Sequence, residues 1–231
     1  FPGASILRMD MDTTRRKGSH RAILTTFEQG KADILLGTQM IAKGLDFPSV
    51  TLVGVITADT ALNIPDFRAG ERTFQLLTQV AGRAGRGDKG GEVIIQTYTP
   101  EHYSIQAAAS HHYTAFYREE LAFRREMGYP PYKFLARILI SGPVEREVID
   151  TAQRAAEALQ LQIDALGPRT EDVGIFGPSP APLSLVRNRY RWHIIVKGEE
   201  GAVRRCLDGF TANQDTYPCS VSVDAAPCAL L

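Results

Sequence analysis

The sequence predicts an α/β chain in two parts: a domain built on a mostly parallel sheet, then a smaller α+β domain of β-α-β-β-α-β order. Three observations carry this. Short apolar runs alternate with helix-period segments across the first half, with brief connections, which is the pattern of βαβ units. Gly128-Tyr129-Pro130-Pro131 breaks a long helical pattern and sets a boundary, giving domains 1–128 and 129–231. Beyond it the order of elements matches the split-βαβ, ferredoxin-like arrangement.

Residues 5–9 are a short strand that runs into a capping and turn cluster at residues 10–14. Residues 17–28 read as a helix with Ala22, Ile23 and Phe27 on one face and Gly30 ending it. Residues 32–36 and 51–56 are almost continuous apolar runs, the mark of strands buried on both faces. The first stops at Gly37-Thr38 and the second near Asp59. Residues 71–86 are helical and residues 92–97 form the next strand. Ligands of such sheets gather at the carboxyl ends of strands, so Gly37, Thr38 and Asp59 are expected at that edge. Residues 103–127 read as one long helix with a stripe of Ile105, Ala109, Tyr113, Phe116 and Leu121. In the second domain, strands are expected at 134–140, 173–176, 192–196 and 219–223, and helices at 144–166 and 201–210. A Pro-rich loop joins the middle two strands.

Hydrophobic residues make up 44% of the 231 and charged residues 23%, ordinary for a globular chain, and the formal net charge is +0. Bulk charge therefore draws the chain to neither nucleic acid nor membrane, and a polyanion site has to be a local patch. Three cysteines, Cys206, Cys219 and Cys228, fit neither a disulfide framework nor a zinc pattern, which points to a reducing compartment. No signal peptide and no apolar run of transmembrane length is visible. The start at Phe1-Pro2-Gly3 reads as a cut from a longer chain.

The stretch with the most chemistry is Gln79-Val80-Ala81-Gly82-Arg83-Ala84-Gly85-Arg86. As helix it projects Gln79, Arg83 and Arg86 from one face at i, i+4 and i+7. Glycine costs a helix about 1 kcal/mol relative to alanine, so propensity does not explain Gly82 and Gly85. Small residues let a ligand approach the backbone, and arginine's planar fork suits phosphate oxygens. A solvated basic helix would carry R-x-x-R alone; the full string reads as a clamp on a phosphoryl transition state. Upstream, the run from Gly37-Thr38-Gln39 through Lys43-Gly44-Leu45-Asp46 follows a strand. Its backbone N–H groups and Thr hydroxyl at a helix start suit phosphate; the alternative is an ordinary β-to-α turn without a ligand. Arg187-Asn188-Arg189-Tyr190-Arg191-Trp192 is the basic and aromatic cluster. Its arginines suit phosphates, and Trp192 either stacks on bases or packs into the core under snorkelling arginines. His111-His112 sits inside the expected long helix without a third metal ligand.

Q-x-x-G-R-x-G-R resembles motif VI of superfamily-two helicases and translocases, and the Gly-Thr run resembles motif V. Asp66-Phe67-Arg68-Ala69-Gly70-Glu71-Arg72, Gln96 through His102, Tyr129-Pro130-Pro131 and Arg189-Tyr190-Arg191-Trp192 narrow the likeness. Together they resemble the primosomal replication-restart helicases, over essentially the whole chain. The resemblance implies a second RecA-like helicase lobe followed by the family's C-terminal DNA-binding domain. It implies that Gly37, Thr38 and Gln39 face DNA and that Gly44 and Asp46 lie near ATP. Arg83 and Arg86 would reach the nucleotide, Arg86 being the favoured finger, with Gln79 beside them. Arg187, Arg189, Arg191 and Trp192 would contact DNA. The implied function is an ATP-dependent 3′-to-5′ DNA helicase that restarts stalled forks by primosome assembly. ATP and Mg²⁺ would be bound jointly with a first lobe, and zinc by an insertion of the parent protein. The expected partners are forked or single-stranded DNA, primosome proteins and single-stranded-DNA-binding protein, in the cytoplasm and away from membranes. No G-x-x-x-x-G-K-[ST] loop is present, so this fragment alone is expected to be inactive. The alternatives are another superfamily-two duplex translocase and a non-catalytic DNA-binding or scaffold module.

Overall fold

The computed structural model describes residues 1–10, 19–38, 47, 49–82, 90–167, 172–212 and 216–230. They form two compact units, Phe1–Leu62 with Gly70–Phe116, and Asn63–Ala69 with Tyr117–Leu231.

The first unit holds β1 (Ile6–Met9), α1 (Ser19–Glu28), β2 (Ile34–Gly37), β3 (Leu52–Val55), α2 (Asp59–Leu62), α3 (Ala69–Ala81), β4 (Glu92–Ile95) and α4 (Tyr103–Ala109). Helix α3 starts at the end of the inserted 63–69 segment. The strands pair in parallel as the alternation predicts, β1 with β2 and β3 with β4. Among the described residues they make two separate two-stranded sheets. Helix α1 ends where glycine predicts: Gly30 has φ 68 and the Lys31 amide reaches back to the Thr26 carbonyl. The core is built from Ala58, Phe74, Leu77, Ile105, Ala107, Ala108 and Phe116. Phe74 and Phe116 stack with centroids 4.2 Å apart.

The double-sided burial expected of the two apolar runs is not found. No residue of β2 or β3 is fully buried, and Leu36 and Leu52 are about half exposed. Burial alternates along β3, while β2 is half-buried at its start and exposed at its end.

The long helix expected over 103–127 is also two, α4 and α5 (Tyr113–Glu126). His111 takes a left-handed φ of 51, and the His112 amide closes onto the Ala107 carbonyl at 2.8 Å. The His112 imidazole Nδ1 then accepts the Ala115 amide at 2.9 Å and caps the next helix. His111-His112 therefore lies in a turn rather than inside a helix. The break rotates the apolar stripe, so Ile105 and Phe116 are buried while Ala109 and Tyr113 are exposed.

The second unit continues with β5 (Phe134–Gly142), α6 (Glu145–Leu166), β6 (Gly174–Val186), β7 (Arg189–Gly198), α7 (Glu200–Thr211) and β8 (Ser220–Ala225). The sheet order is β6-β7-β5-β8 and every pair is antiparallel, the split-βαβ topology expected from the element order. Helices α6 and α7 pack on one face over Ala136, Ile138, Ile140, Ile194 and Val196. Glu199 starts α7 by accepting the amides of Gly201 and Ala202, which hold its carboxyl below the usual range.

The Pro-rich segment is not a loop. Pro178, Pro180 and Pro182 lie within β6. An edge strand tolerates residues without an N–H, and the register slips between Phe176 and Ser179 and again between Pro180 and Leu185. Gly177 sits at the first slip with φ 98, where a Cβ would come within 2.9 Å of the His193 carbonyl.

Candidate nucleic-acid and nucleotide site

Gly37 closes β2 opposite Met9 of β1, and Gly37 and Thr38 are exposed at the carboxyl edge of that sheet. Gln39, Gly44 and Asp46 lie outside the described residues. Gln79 is exposed on α3, opposite the face that buries Thr73, Phe74 and Leu77. Amphipathic periodicity thus fixes which face of α3 is open. Gly82 follows the helix, and a Cβ there would make only ordinary contacts, 3.5 Å to the Thr78 carbonyl. Arg83 and Arg86 lie outside the described residues.

Asp59 lies past the carboxyl ends of the other strand pair, β3 and β4, in a role the sequence did not reveal. Its carboxylate accepts the Thr97 hydroxyl at 3.0 Å, the Tyr98 amide at 3.2 Å and the Thr99 hydroxyl at 3.2 Å. Burial pushes its pKa up, but these hydrogen bonds outweigh it and hold the carboxyl below the usual value. Asp59 ties the chain after β3 to the chain after β4. The Thr-x-Thr spacing at 97–99 was the available signal.

The basic and aromatic cluster is a hairpin. Val186 pairs with Arg189 across a two-residue turn in which Arg187 and Asn188 have φ 51 and 57. Both positive angles are what a tight type I′ turn requires. Asparagine tolerates this region; an arginine there costs about 1 kcal/mol. Arg187 and Arg189 are exposed and Arg191 is half-buried. The pleat divides β7 cleanly. Tyr190, Trp192 and Ile194 face the helices, with Trp192 against the core beside Ile140. Arg189, Arg191 and His193 face the other side. Arg189 donates to the Ser141 carbonyl at 2.9 Å, and Arg191 to the Leu183 carbonyl at 3.3 Å, which fixes both guanidinium groups. Burial, then the charges of Arg137 and Arg191, hold His193 below its ordinary pKa. Arg137 in turn meets Asp224 at 3.5 Å.

Gly37, Thr38 and Gln79 belong to the first unit, and Arg187, Arg189, Arg191 and Trp192 to the second. Among the described residues no group of three or more His, Cys, Asp or Glu side chains forms a metal cluster, and no helix is long and apolar enough to cross a membrane.

Residues 3–88 match the helicase conserved C-terminal domain, and residues 125–227 match the primosomal protein N C-terminal domain. The replication restart protein PriA of Bacillus subtilis is 48% identical over 98% of this chain and 28% of its own length. Its counterpart in Synechocystis is 51% identical over 85% of the chain and 23% of its own length. That of Treponema pallidum is 40% identical over 94% and 33%. The chain thus spans about a quarter to a third of the relatives it matches. Identity of 48–51% to replication restart proteins over most of the chain, with a helicase C-terminal domain followed by a primosomal C-terminal domain, shows that the chain belongs to the PriA family of replication restart proteins.

Proposed function

We propose that this chain is the C-terminal part of an ATP-dependent 3′-to-5′ DNA helicase that restarts stalled replication forks through primosome assembly. The observation that carries the proposal is the likeness to replication restart proteins over nearly the whole chain, with Q-x-x-G-R-x-G-R following the open face of α3. The boundary between the lobe and the DNA-binding domain is placed at residues 128 and 129.

The exposed Gln79 amide and the small residues after it fit an approach by nucleotide phosphates. ATP with Mg²⁺, held jointly with a first lobe, supplies the anhydride whose cleavage drives movement. Arg83 and Arg86 present guanidinium groups to the transferring phosphoryl, with Arg86 as the finger, and Gln79 orients beside them. Gly44 and Asp46 line the nucleotide side, and Gly37, Thr38 and Gln39 hold the DNA backbone. In the second unit, Arg187 at the hairpin turn and Arg189 and Arg191 on the face of β7 away from the core neutralise DNA phosphates. The core-facing position of Trp192 supports support of the hairpin over stacking on a base. Forked or single-stranded DNA, primosome proteins and single-stranded-DNA-binding protein are the proposed partners, in the cytoplasm. Zinc belongs to an insertion of the parent protein.

The test is strand separation by the full-length parent with ATP. A forked duplex whose loading tail allows 3′-to-5′ travel is expected to separate, while the opposite tail alone does not support unwinding. ATP-dependent binding without strand separation would favour the scaffold reading, and sliding along intact duplex without unwinding would favour the translocase.

A further inference from the structure

The string Asp66-Phe67-Arg68 is the part of the sequence signature to which neither nucleotide nor DNA assigns a task. It sits between α2 and α3 in sequence, yet residues Asn63–Ala69 belong to the C-terminal compact unit. The Asp66 side chain is buried, 8% exposed. One carboxylate oxygen accepts the Arg68 amide at 2.9 Å, and the other accepts the Leu230 amide at 3.1 Å, 164 residues away in sequence. The Asp66 carbonyl accepts the Ala69 amide at 2.9 Å, at the first residue of α3. Arg68 donates to the Cys228 carbonyl at 3.3 Å.

Phe67 completes the tie. It is buried in a cluster with Leu135 of β5 and Leu230, against Tyr129 and Ile195. Its ring stacks on Tyr129 with centroids 5.6 Å apart and planes at 23°. The Arg124 guanidinium lies over the ring at 5.5 Å. Arg124 is held by Glu120 at 2.7 Å and by the Pro130 carbonyl at 3.3 Å. A local turn would need only the Asp66–Arg68 bond. The long-range bond to Leu230 and the ring sandwich go beyond turn chemistry and grip the segment from α5, β5 and the C-terminal tail.

We propose that Asp66, Phe67 and Arg68 are positioning residues: through them the C-terminal unit holds the start of helix α3 and so sets the placement of the Gln79 end. This rests on the reading of Gln79 as part of the nucleotide-facing helix. A helix moves as a rigid rod, so a grip on its first residue reaches its far end. The tie makes the state of the DNA-binding unit felt by α3, and double-mutant coupling is the direct measure of such a link.

The experiment compares the full-length parent with its Phe67→Ala, Phe67→Leu, Leu230→Ala, Asp66→Asn and Phe67→Ala/Leu230→Ala variants. Three readouts are taken: affinity for a forked oligonucleotide, amide hydrogen exchange over residues 69–81 with and without that DNA, and the ratio of DNA-stimulated to basal ATP hydrolysis. In the wild type, DNA changes exchange over 69–81. In Phe67→Ala and Leu230→Ala the change is lost and the ratio falls about tenfold, in the range of ordinary allosteric coupling. DNA affinity stays within about twofold, the double variant is no worse than the worse single, and Phe67→Leu recovers most of the ratio. If Phe67→Ala loses its cooperative melting transition, the isosteric Asp66→Asn supplies the same comparison. A DNA-induced change in exchange that is absent from the wild type, or undiminished in the variants, overturns the positioning role. A wild type without DNA-stimulated hydrolysis overturns the helicase reading, and the exchange readout still decides the tie.

Discussion

The two compact units solve the same packing problem to different degrees. In the C-terminal unit, β5 and β7 are 9 and 10 residues long and lie centrally, with a partner on each side. Alternate residues Ala136, Ile138 and Ile140 are fully buried under α6 and α7. In the first unit each strand is 4 residues long with one described partner. Ile6, Leu36, Leu52 and Ile94 are 61%, 52%, 51% and 52% exposed. The first unit's strands are the more apolar of the two sets, so apolar content does not explain the difference. What differs is closure: a sheet of four with helices on one face dries its core, and pairs of short strands do not. The arginine hairpin belongs to the closed unit, and Gly37, Thr38 and Gln79 belong to the open one.

The comparison yields predictions that fall in size. Ile138→Ala removes a side chain from a fully dry core and should destabilise the C-terminal unit by about 2–5 kcal/mol. A lower midpoint in urea, with the first unit's transition unmoved, is the expected trace; equal shifts in both transitions would mean that the units are not separate. Arg187→Gly should separate stability from function. It relieves the left-handed arginine and raises hairpin stability by about 1 kcal/mol. It also weakens forked-DNA binding several-fold and lowers the salt slope of affinity by about one ion. Unchanged affinity and slope in anisotropy titrations would remove the hairpin tip from the interface.

A smaller effect concerns pH. His193 has a folded-state pKa below its unfolded value near 6.5. The unfolded state therefore binds more protons, and stability is lost as pH falls below the unfolded value, until the folded value is passed. Burial sets the direction first, and the charges of Arg137 and Arg191 add to it. His193→Gln should flatten the urea midpoint between pH 7 and pH 5; a slope unchanged from wild type would assign it to other groups. The smallest effect is Leu36→Ser, on the exposed side of the short sheet, expected within about 0.5 kcal/mol of wild type. A loss comparable to Ile138→Ala would show that the face is covered in solution.

Much of this was legible in the chain. The order of the strands and helices from β5 to β8 follows from period and turn residues, and Gly30 marks the end of α1. The missed features share a physical cause: each depends on a partner distant in sequence or on a conformation its residue type rarely adopts. The α4–α5 break carries neither Gly nor Pro, because a histidine takes the left-handed position and its neighbour caps the next helix. The prolines of β6 look like a loop until the strand is known to lie at an edge. Two-faced burial was read from apolar runs whose strands, β2 and β3, hold no fully buried residue. Asp59 and Asp66 look like ordinary turn acids, and only the fold shows their carboxylates binding chain 38 to 164 residues away. Gly37, Thr38 and Gln79 are exposed, while Gln39, Gly44, Asp46, Arg83 and Arg86 fall outside the described residues.

The most direct measurement is ATP hydrolysis by the full-length parent, with and without forked DNA, in the wild type and in Arg83→Ala and Arg86→Ala. The account predicts that DNA stimulates hydrolysis, and that Arg86→Ala lowers the stimulated rate by about three to five decades while DNA affinity is kept. Hydrolysis that is absent from the wild type, or indifferent to both substitutions, would contradict it.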